Sequence, residues 1–421
     1  MIRKKIKVAT GLALALSMLL TACSSGSSSS DSAATDSGES VTVQFNILGY
    51  SPNTPKLFQE AIDDFEAANP NIKVELTNGT WDTAYEKILS WVKSGDTPDI
   101  TVLGPKWLPD LYELDALQPF DDYASPELLG NFSESLLAPL RKDGKQYSLP
   151  EALSTRMMLY RKDLYDKAGV TTPPKTWDEF KTALTKIKAT GDADGFSLQA
   201  SGDETIWYYA YFMLGAGGDF VNASGDWAVN QPANVEALQF QLDLVNGELT
   251  NSNPAGVDQD SVQALFTSGK TATYWGPPWI LPGIDAALQP NVSIANYPTK
   301  SGTPAPLYIQ DSFVLFKDAK HPAEAVKFLE FWNQDKYQVK FNVTESLIPV
   351  TTSSGAAPEF QNNPAMKEFI DAIPLAKSYP LKKGWETVNV EVRNAVQAAL
   401  LGKKTPQAAL DEAQAAIEAK S

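Results

Sequence analysis

Five tryptophans stand where glycine or proline interrupts regular structure. Trp81 lies in the stretch Asn78-Gly-Thr-Trp-Asp-Thr83 and Trp107 in Gly104-Pro-Lys-Trp-Leu-Pro-Asp110. Trp275 and Trp279 bracket Gly276-Pro-Pro278, and Trp385 follows Gly384. Indole faces stack on the C–H faces of sugar rings, and nearby carboxylates, amides or guanidinium groups fix the hydroxyls, which is the usual make-up of a ligand pocket. The competing reading for each ring is that it covers the edge of a core, since buried tryptophan is common. Five such rings beside glycine and proline favour at least some of them facing a ligand. Other chemistry is scarce. One cysteine, Cys23, rules out an internal disulfide, and one histidine, His321, rules out a Cys/His metal site. Carboxylate sites for calcium stay open, although Asp192-Ala-Asp-Gly195 lacks a closing glutamate, Ser201 standing there, and reads as a turn.

These loops need a scaffold, and the pattern supplies one. Val41–Tyr50 alternates and is rich in β-branched residues, so it reads as a strand ending near Gly49. Pro55 opens a helix with Leu57, Phe58, Ile62 and Phe65 on one face. Ile72–Thr77 is a second strand, and Asp82–Gly95 a second helix with Thr83 and Glu86 as a capping box. Asp99–Leu103 is a third strand. Strand, helix, strand, helix, strand predicts an α/β fold with a mostly parallel sheet. In such sheets ligands sit beyond the carboxyl ends of the strands, which are the loops holding Tyr50, Trp81 and Trp107. Helical patterns recur over 205–215, 232–247, 259–268, 321–335, 364–371, 388–400 and 405–420. Trp177 and Trp332 fall in helical patterns and read as packing, Asp99 as a turn residue, and His321 as a helix start without chemistry.

The N-terminus carries Arg3, Lys4, Lys5 and Lys7, an apolar run over Val8–Leu20, and Leu20-Thr21-Ala22-Cys23. A charged head, a short apolar core and small residues make a secretory signal rather than a membrane span. The last four residues resemble a bacterial lipobox, which implies cleavage before Cys23 and acylation of its thiol; a cleaved signal with an incidental cysteine is the alternative. Residues 24–40 hold no aliphatic side chain larger than alanine and read as a flexible tether. Losing residues 1–22 removes four of 35 Lys and Arg, leaving 31 against 51 Asp and Glu, a net charge of −20. So acidic a chain is poorly suited to nucleic acid or anionic lipid. About 380 residues beyond the tether exceed one core, so two lobes are expected.

Phe65–Leu76, Ser94–Ile100, Tyr147–Pro150 with Leu159–Val170, Pro173–Phe180, Leu265–Trp279, His321–Phe331 and Val392–Gln414 resemble, in order and spacing, the extracellular solute-binding proteins of the maltose-binding type. The resemblance covers the chain from about residue 41 onward. It implies two α/β lobes joined by three crossings, near Ser148–Thr155, Ile309–Phe313 and Leu347–Val350. The implied boundaries are a signal over 1–22, a lipidated tether over 23–40, a first lobe over 41–149 and 310–347, and a second over 150–309 and 348–421. By position it implies sugar contacts from Tyr50, Trp81, Asp82, Lys106, Trp107, Glu204, Trp207, Trp275, Trp279 and Trp385. Glu151 and Arg156 would lie on the first crossing and Asp311 on the second, where the family more often has a small residue. The implied role is a monomeric, lipid-anchored receptor on the outer face of the cell membrane that takes a saccharide to an ATP-driven permease, with no cofactor and no metal. A secreted glycosidase, needing two carboxylates about 5–9.5 Å apart across the sugar, and a surface adhesin, needing no loop tryptophans, are the other classes. Several tryptophans favour an oligosaccharide over a monosaccharide. The loops offer an anionic ligand only Lys106, Arg156, Lys382 and Lys383.

Overall fold

The structure, a computed structural model, describes residues 40–420. The expected leader, Cys23 and the tether through Glu39 lie outside the described residues. Its main strands are β1 (Val41–Leu48), β2 (Ile72–Gly79), β3 (Ile100–Leu103), β4 (Leu117–Gln118), β5 (Ser148–Thr155), β6 (Met157–Arg161), β7 (Thr273–Gly276), β8 (Val292–Ala295) and β9 (Tyr308–Phe316). Its principal helices are α1 (Thr54–Ala68), α2 (Trp81–Ser94), α3 (Trp177–Thr190), α4 (Thr205–Gly215), α5 (Gln259–Thr267), α6 (Pro322–Trp332), α7 (Trp385–Leu400) and α8 (Pro406–Lys420).

β1 pairs parallel with β2 along its whole length, from Val41 opposite Ile72 to Leu48 opposite Gly79, and parallel with β3 on its other side. α1 buries Leu57, Phe58, Ala61, Ile62 and Phe65, a three-and-four spacing that lays one stripe on this sheet. Parallel pairing stops there. The six-stranded sheet runs β2-β1-β3-β9-β4, with β5 also on β9, and β9 is antiparallel to all its neighbours. The expectation of a mostly parallel sheet is corrected accordingly. β9 arrives from the other half of the molecule and needs no crossover helix, which is the constraint that makes sequential strands parallel. The second sheet, β8-β6-β7, is wholly antiparallel.

The described residues form two hydrophobic cores, the first reaching past β5 to take in Leu159, Phe266, Tyr274 and Ile284. The first gathers Phe45, Phe58, Phe313 and Trp332, and Trp332 stacks on Phe58 at 3.9 Å. The second is built around α4, whose eleven residues are all buried. A helix apolar all round, TIWYYAYFMLG, can only be a core helix. Trp177 joins that core, stacked on Phe240 at 4.2 Å, behind a capping box formed by Thr176 and Glu179. β5 and β9 carry the chain between the two halves, and Ile348 bridges Leu153 of β5 beside them. Asp99 accepts backbone N–H groups of Gln44, Lys320 and His321 at 2.6–2.9 Å, tying β1 to the start of α6.

One irregularity matters for the site. Along β5 and β9, Ala152 faces Asp311 but Pro150 faces Ser312, so Glu151 is an extra residue in the ladder. Such a bulge bends the strand and re-aims side chains. It sits where the two lobes exchange chain.

Candidate functional site

A cleft of about 630 Å³ opens at the carboxyl ends of β1, β2 and β3, where the topological rule for α/β sheets puts ligands. The loop after β1 carries Tyr50. The Thr54 hydroxyl at the head of α1 accepts the backbone N–H groups of Tyr50 and Ser51 at 2.9 and 3.1 Å and donates to Glu345 at 2.8 Å. Ser51 donates to the same oxygen at 3.0 Å, so the buried Glu345 fixes the loop. Trp81 begins α2 directly. The expected Thr83/Glu86 capping box does not form, because the helix starts at Trp81 after Thr80, whose hydroxyl meets that of Thr83 at 3.0 Å. Trp107 ends a single 3₁₀ turn over Pro105–Trp107. Tyr50, Trp81, Trp107 and Tyr85 then follow one another at ring separations of 5.6–6.3 Å, forming one aromatic wall.

The facing wall comes from the second core. Trp207, in the first turn of α4, lies 5.0 Å from Tyr379 and stacks at 5.1 Å on Trp385. Trp107 donates its indole N–H to Glu386 at 2.7 Å, linking the two walls directly. Lys106 reaches between them, its ammonium 5.2 Å from the Trp107 ring and 5.3 Å from the Trp207 ring. The Arg156 guanidinium lies 4.7 Å from the Trp279 ring and donates to Ser154 at 2.6 Å. These are cation–π distances.

Tyr50 also donates toward two carboxyls, Glu151 at 2.6 Å and Asp311 at 2.9 Å. The bulge explains how both side chains reach it. Burial above all pushes the Asp311 carboxyl up to about 7, against the pull of the Tyr50 hydrogen bond, Lys106 and Arg156. Burial raises Glu151 well above the ordinary carboxylate range, helped by the negative charges of Asp311 and Glu345. It raises Glu204 too, while Arg156 and Lys106 pull that group back. Among the described residues no group of three or more His, Cys, Asp or Glu is arranged to hold a metal ion.

Of the residues singled out from sequence, Tyr50, Trp81, Asp82, Lys106, Trp107, Arg156, Glu204, Trp207, Trp279 and Asp311 line this one cleft. Three do not, and those expectations are corrected. Trp275 is fully buried, because it lies inside β7 paired with Met158 and is enclosed by Phe180, Phe196, Phe212 and Tyr297. Trp385 is fully buried too, since the first turn of α7 faces the second core; it backs Trp207 instead of meeting solvent. Glu151, 1% exposed, sits behind Tyr50. Sequence reasoning missed Tyr85, Glu345, Tyr379 and Glu386. For Glu345 a signal existed: Gln338, Asn342 and Glu345 recur at helical spacing beside Tyr337 and Phe341, a polar set on a buried face.

The family model for bacterial extracellular solute-binding proteins matches residues 51–339. A binding protein of Brucella abortus is 33% identical over 387 residues, 91% of this chain and 93% of that one. The diacetylchitobiose binding protein of Streptomyces coelicolor is 24% identical over 420 residues, 96% of each chain. Among solved structures, a maltose-bound protein of T. maritima superposes with a TM-score of 0.81 at 20% identity, covering 90% of this chain and 100% of that one. A sugar transporter of Arthrobacter chlorophenolicus with bound laminaribiose gives 0.80 at 19% identity, covering 90% and 99%. At these identities the structural likeness establishes the two-lobed fold.

Proposed function

The chain belongs to the bacterial extracellular solute-binding proteins, a family of binding proteins and not of enzymes, and from that premise we propose that it captures an oligosaccharide between its lobes and delivers it to an ATP-driven permease. The observation that carries this reading is the convergence of Trp81 and Trp107 from the first lobe with Trp207 from the second on one cleft. Its volume falls within the about 300–1,000 Å³ common to small-molecule sites. The charged groups favour a hydroxylated, neutral ligand. Lys106 and Arg156 act on Glu204 and Asp311 without forming an ion pair with either. A sugar hydroxyl, at once donor and acceptor, bridges such a gap. Hinge closure is assigned to β5, β9 and Leu347–Val350. There Ile348 bridges Leu153 of β5, its N–H donating to the Leu153 carbonyl at 2.8 Å, so the third crossing lies beside the first.

The same proposal includes secretion by residues 1–22 and acylation of Cys23, with no partner protein beyond the permease and no nucleic acid. Two acyl chains anchor stably where one does not, and a tether raises the receptor's concentration at its permease.

Titrating candidate oligosaccharides while following tryptophan fluorescence should give a saturable change with no product formed. Trp207→Ala and Trp279→Ala should each weaken binding by about 1–3 kcal/mol, the scale of burying a large apolar side chain. Hydrolysis of the sugar, or unchanged affinity in both variants, would refute the assignment.

A further inference from the structure

Resting on the saccharide reading, we propose that the cleft selects sugars by charge. It takes neutral and amine-bearing saccharides and rejects those carrying carboxylate, sulfate or phosphate, with Asp82, Glu204 and Asp260 setting the selectivity. Eight carboxyl side chains and two cations line the cleft. Several of the acids are engaged elsewhere: Asp203 pairs with Arg393, and Glu386 accepts the Trp107 indole N–H. Asp82, Glu204 and Asp260 remain, brought to one place by three helix starts. Asp82 is in the first turn of α2, Glu204 is the N-cap of α4, and Asp260 is in the first turn of α5. They are close enough for Asp260 and Asp82 to act on Glu204 as like charges.

Two features decide against an anion. Helix N-termini attract negative charge, but these three already hold carboxylates of their own. The cations are the second feature. Arg156 is 2% exposed, lines the cleft, and keeps an Nε–H without a hydrogen-bond partner. That donor is buried and unspent in the wall of the cleft. Its charge, however, already lies on the Trp279 face, as that of Lys106 lies between Trp107 and Trp207. An anion would have to draw these cations off their rings while facing the acidic set. A hydroxyl or ring oxygen needs neither, and an ammonium group gains from the acids directly. Desolvated walls make that discrimination stronger than it would be in water.

The test is a glycan array holding neutral, amine-bearing, uronic, sulfated and phosphorylated saccharides on matched backbones, probed with the full chain at low ionic strength. Bound glycans should be neutral or amine-bearing. Amine-bearing ligands should exceed their uronic counterparts at least tenfold, the margin shrinking as salt screens the acids. Asp260→Asn should narrow that margin at least threefold, and because the readout is a ratio, a general loss of affinity cancels. An anionic glycan bound within threefold of its neutral parent overturns the proposal, as does an unchanged margin in the Asp260→Asn chain. An array with no bound glycan overturns the saccharide reading itself and this proposal with it, so the two failures are distinct.

Discussion

Replacing Trp275 with alanine should lower the unfolding free energy by about 3–5 kcal/mol, the range for truncating a large buried aromatic. The ring is fully buried and touches four others, Phe212 at 4.6 Å being the nearest. Phe180, Phe196 and Tyr297 all lie at 5.2 Å. These rings come from separate elements around β7, so no single shift can fill the void. Trp275→Phe should cost far less. It keeps most of the contact area and removes an indole N–H that has no hydrogen-bond partner, a group whose burial carries its own penalty. Urea midpoints of the three chains give the comparison. Sugar affinity in Trp275→Phe should stay within twofold of the native chain. A phenylalanine variant that folds normally and no longer binds sugar would return this ring to the site.

Trp275 also shows where sequence reasoning stops. Glycine and proline around it correctly mark a break in regular structure, but a break in the chain says nothing about which layer the ring enters. That is decided by β6, more than a hundred positions earlier, which pairs Met158 with Trp275. Trp385 follows the same logic: its glycine does precede a helix start, and the helix turns that start inward. Helices were legible where length and period agreed, as over 205–215, because a 3.6-residue repeat is a local property. The antiparallel entry of β9 and the bulge at Glu151 were not, since both depend on register between segments some 160 residues apart. The loops that build the first wall were legible for a different reason. Topology alone puts the strand ends of an α/β sheet in one place, so Tyr50, Trp81 and Trp107 were bound to meet once the strands were identified.

Between about pH 4 and pH 7 the ligand-free protein should lose stability as pH rises, and Asp311→Asn should remove much of that loss. Tyr50 has one hydroxyl proton and two carboxyl neighbours, at 2.6 and 2.9 Å. With Glu151 and Asp311 both ionised, one of these contacts would press two oxygens together with no proton between them. One carboxyl therefore keeps its proton, and burial favours Glu151, the more enclosed, as its holder. Asp311 is pushed up to about 7, burial being the largest cause. An unfolded aspartate titrates near 3.9. Between those values the folded chain binds more protons than the unfolded one, so stability falls with rising pH, by at most about 1.4 kcal/mol per unit. The contribution is complete below the unfolded value and gone above the folded one. Asp311 is only partly buried, so about 2–4 kcal/mol over the window is the expected size. Asp311→Asn should raise stability at pH 7 by a similar amount and weaken sugar binding at the same time, since a carboxylate acceptor leaves the cleft. The two carboxyls share Tyr50, so the slope belongs to the pair, and adding Glu151→Gln should flatten what remains. A single variant with the native slope, or one less stable than the native chain at pH 7, would show that this carboxyl is not held against its preference. If the slope does flatten, the cost of the buried Asp311 charge is one that a bound hydroxyl, donating to that carboxylate, is placed to relieve.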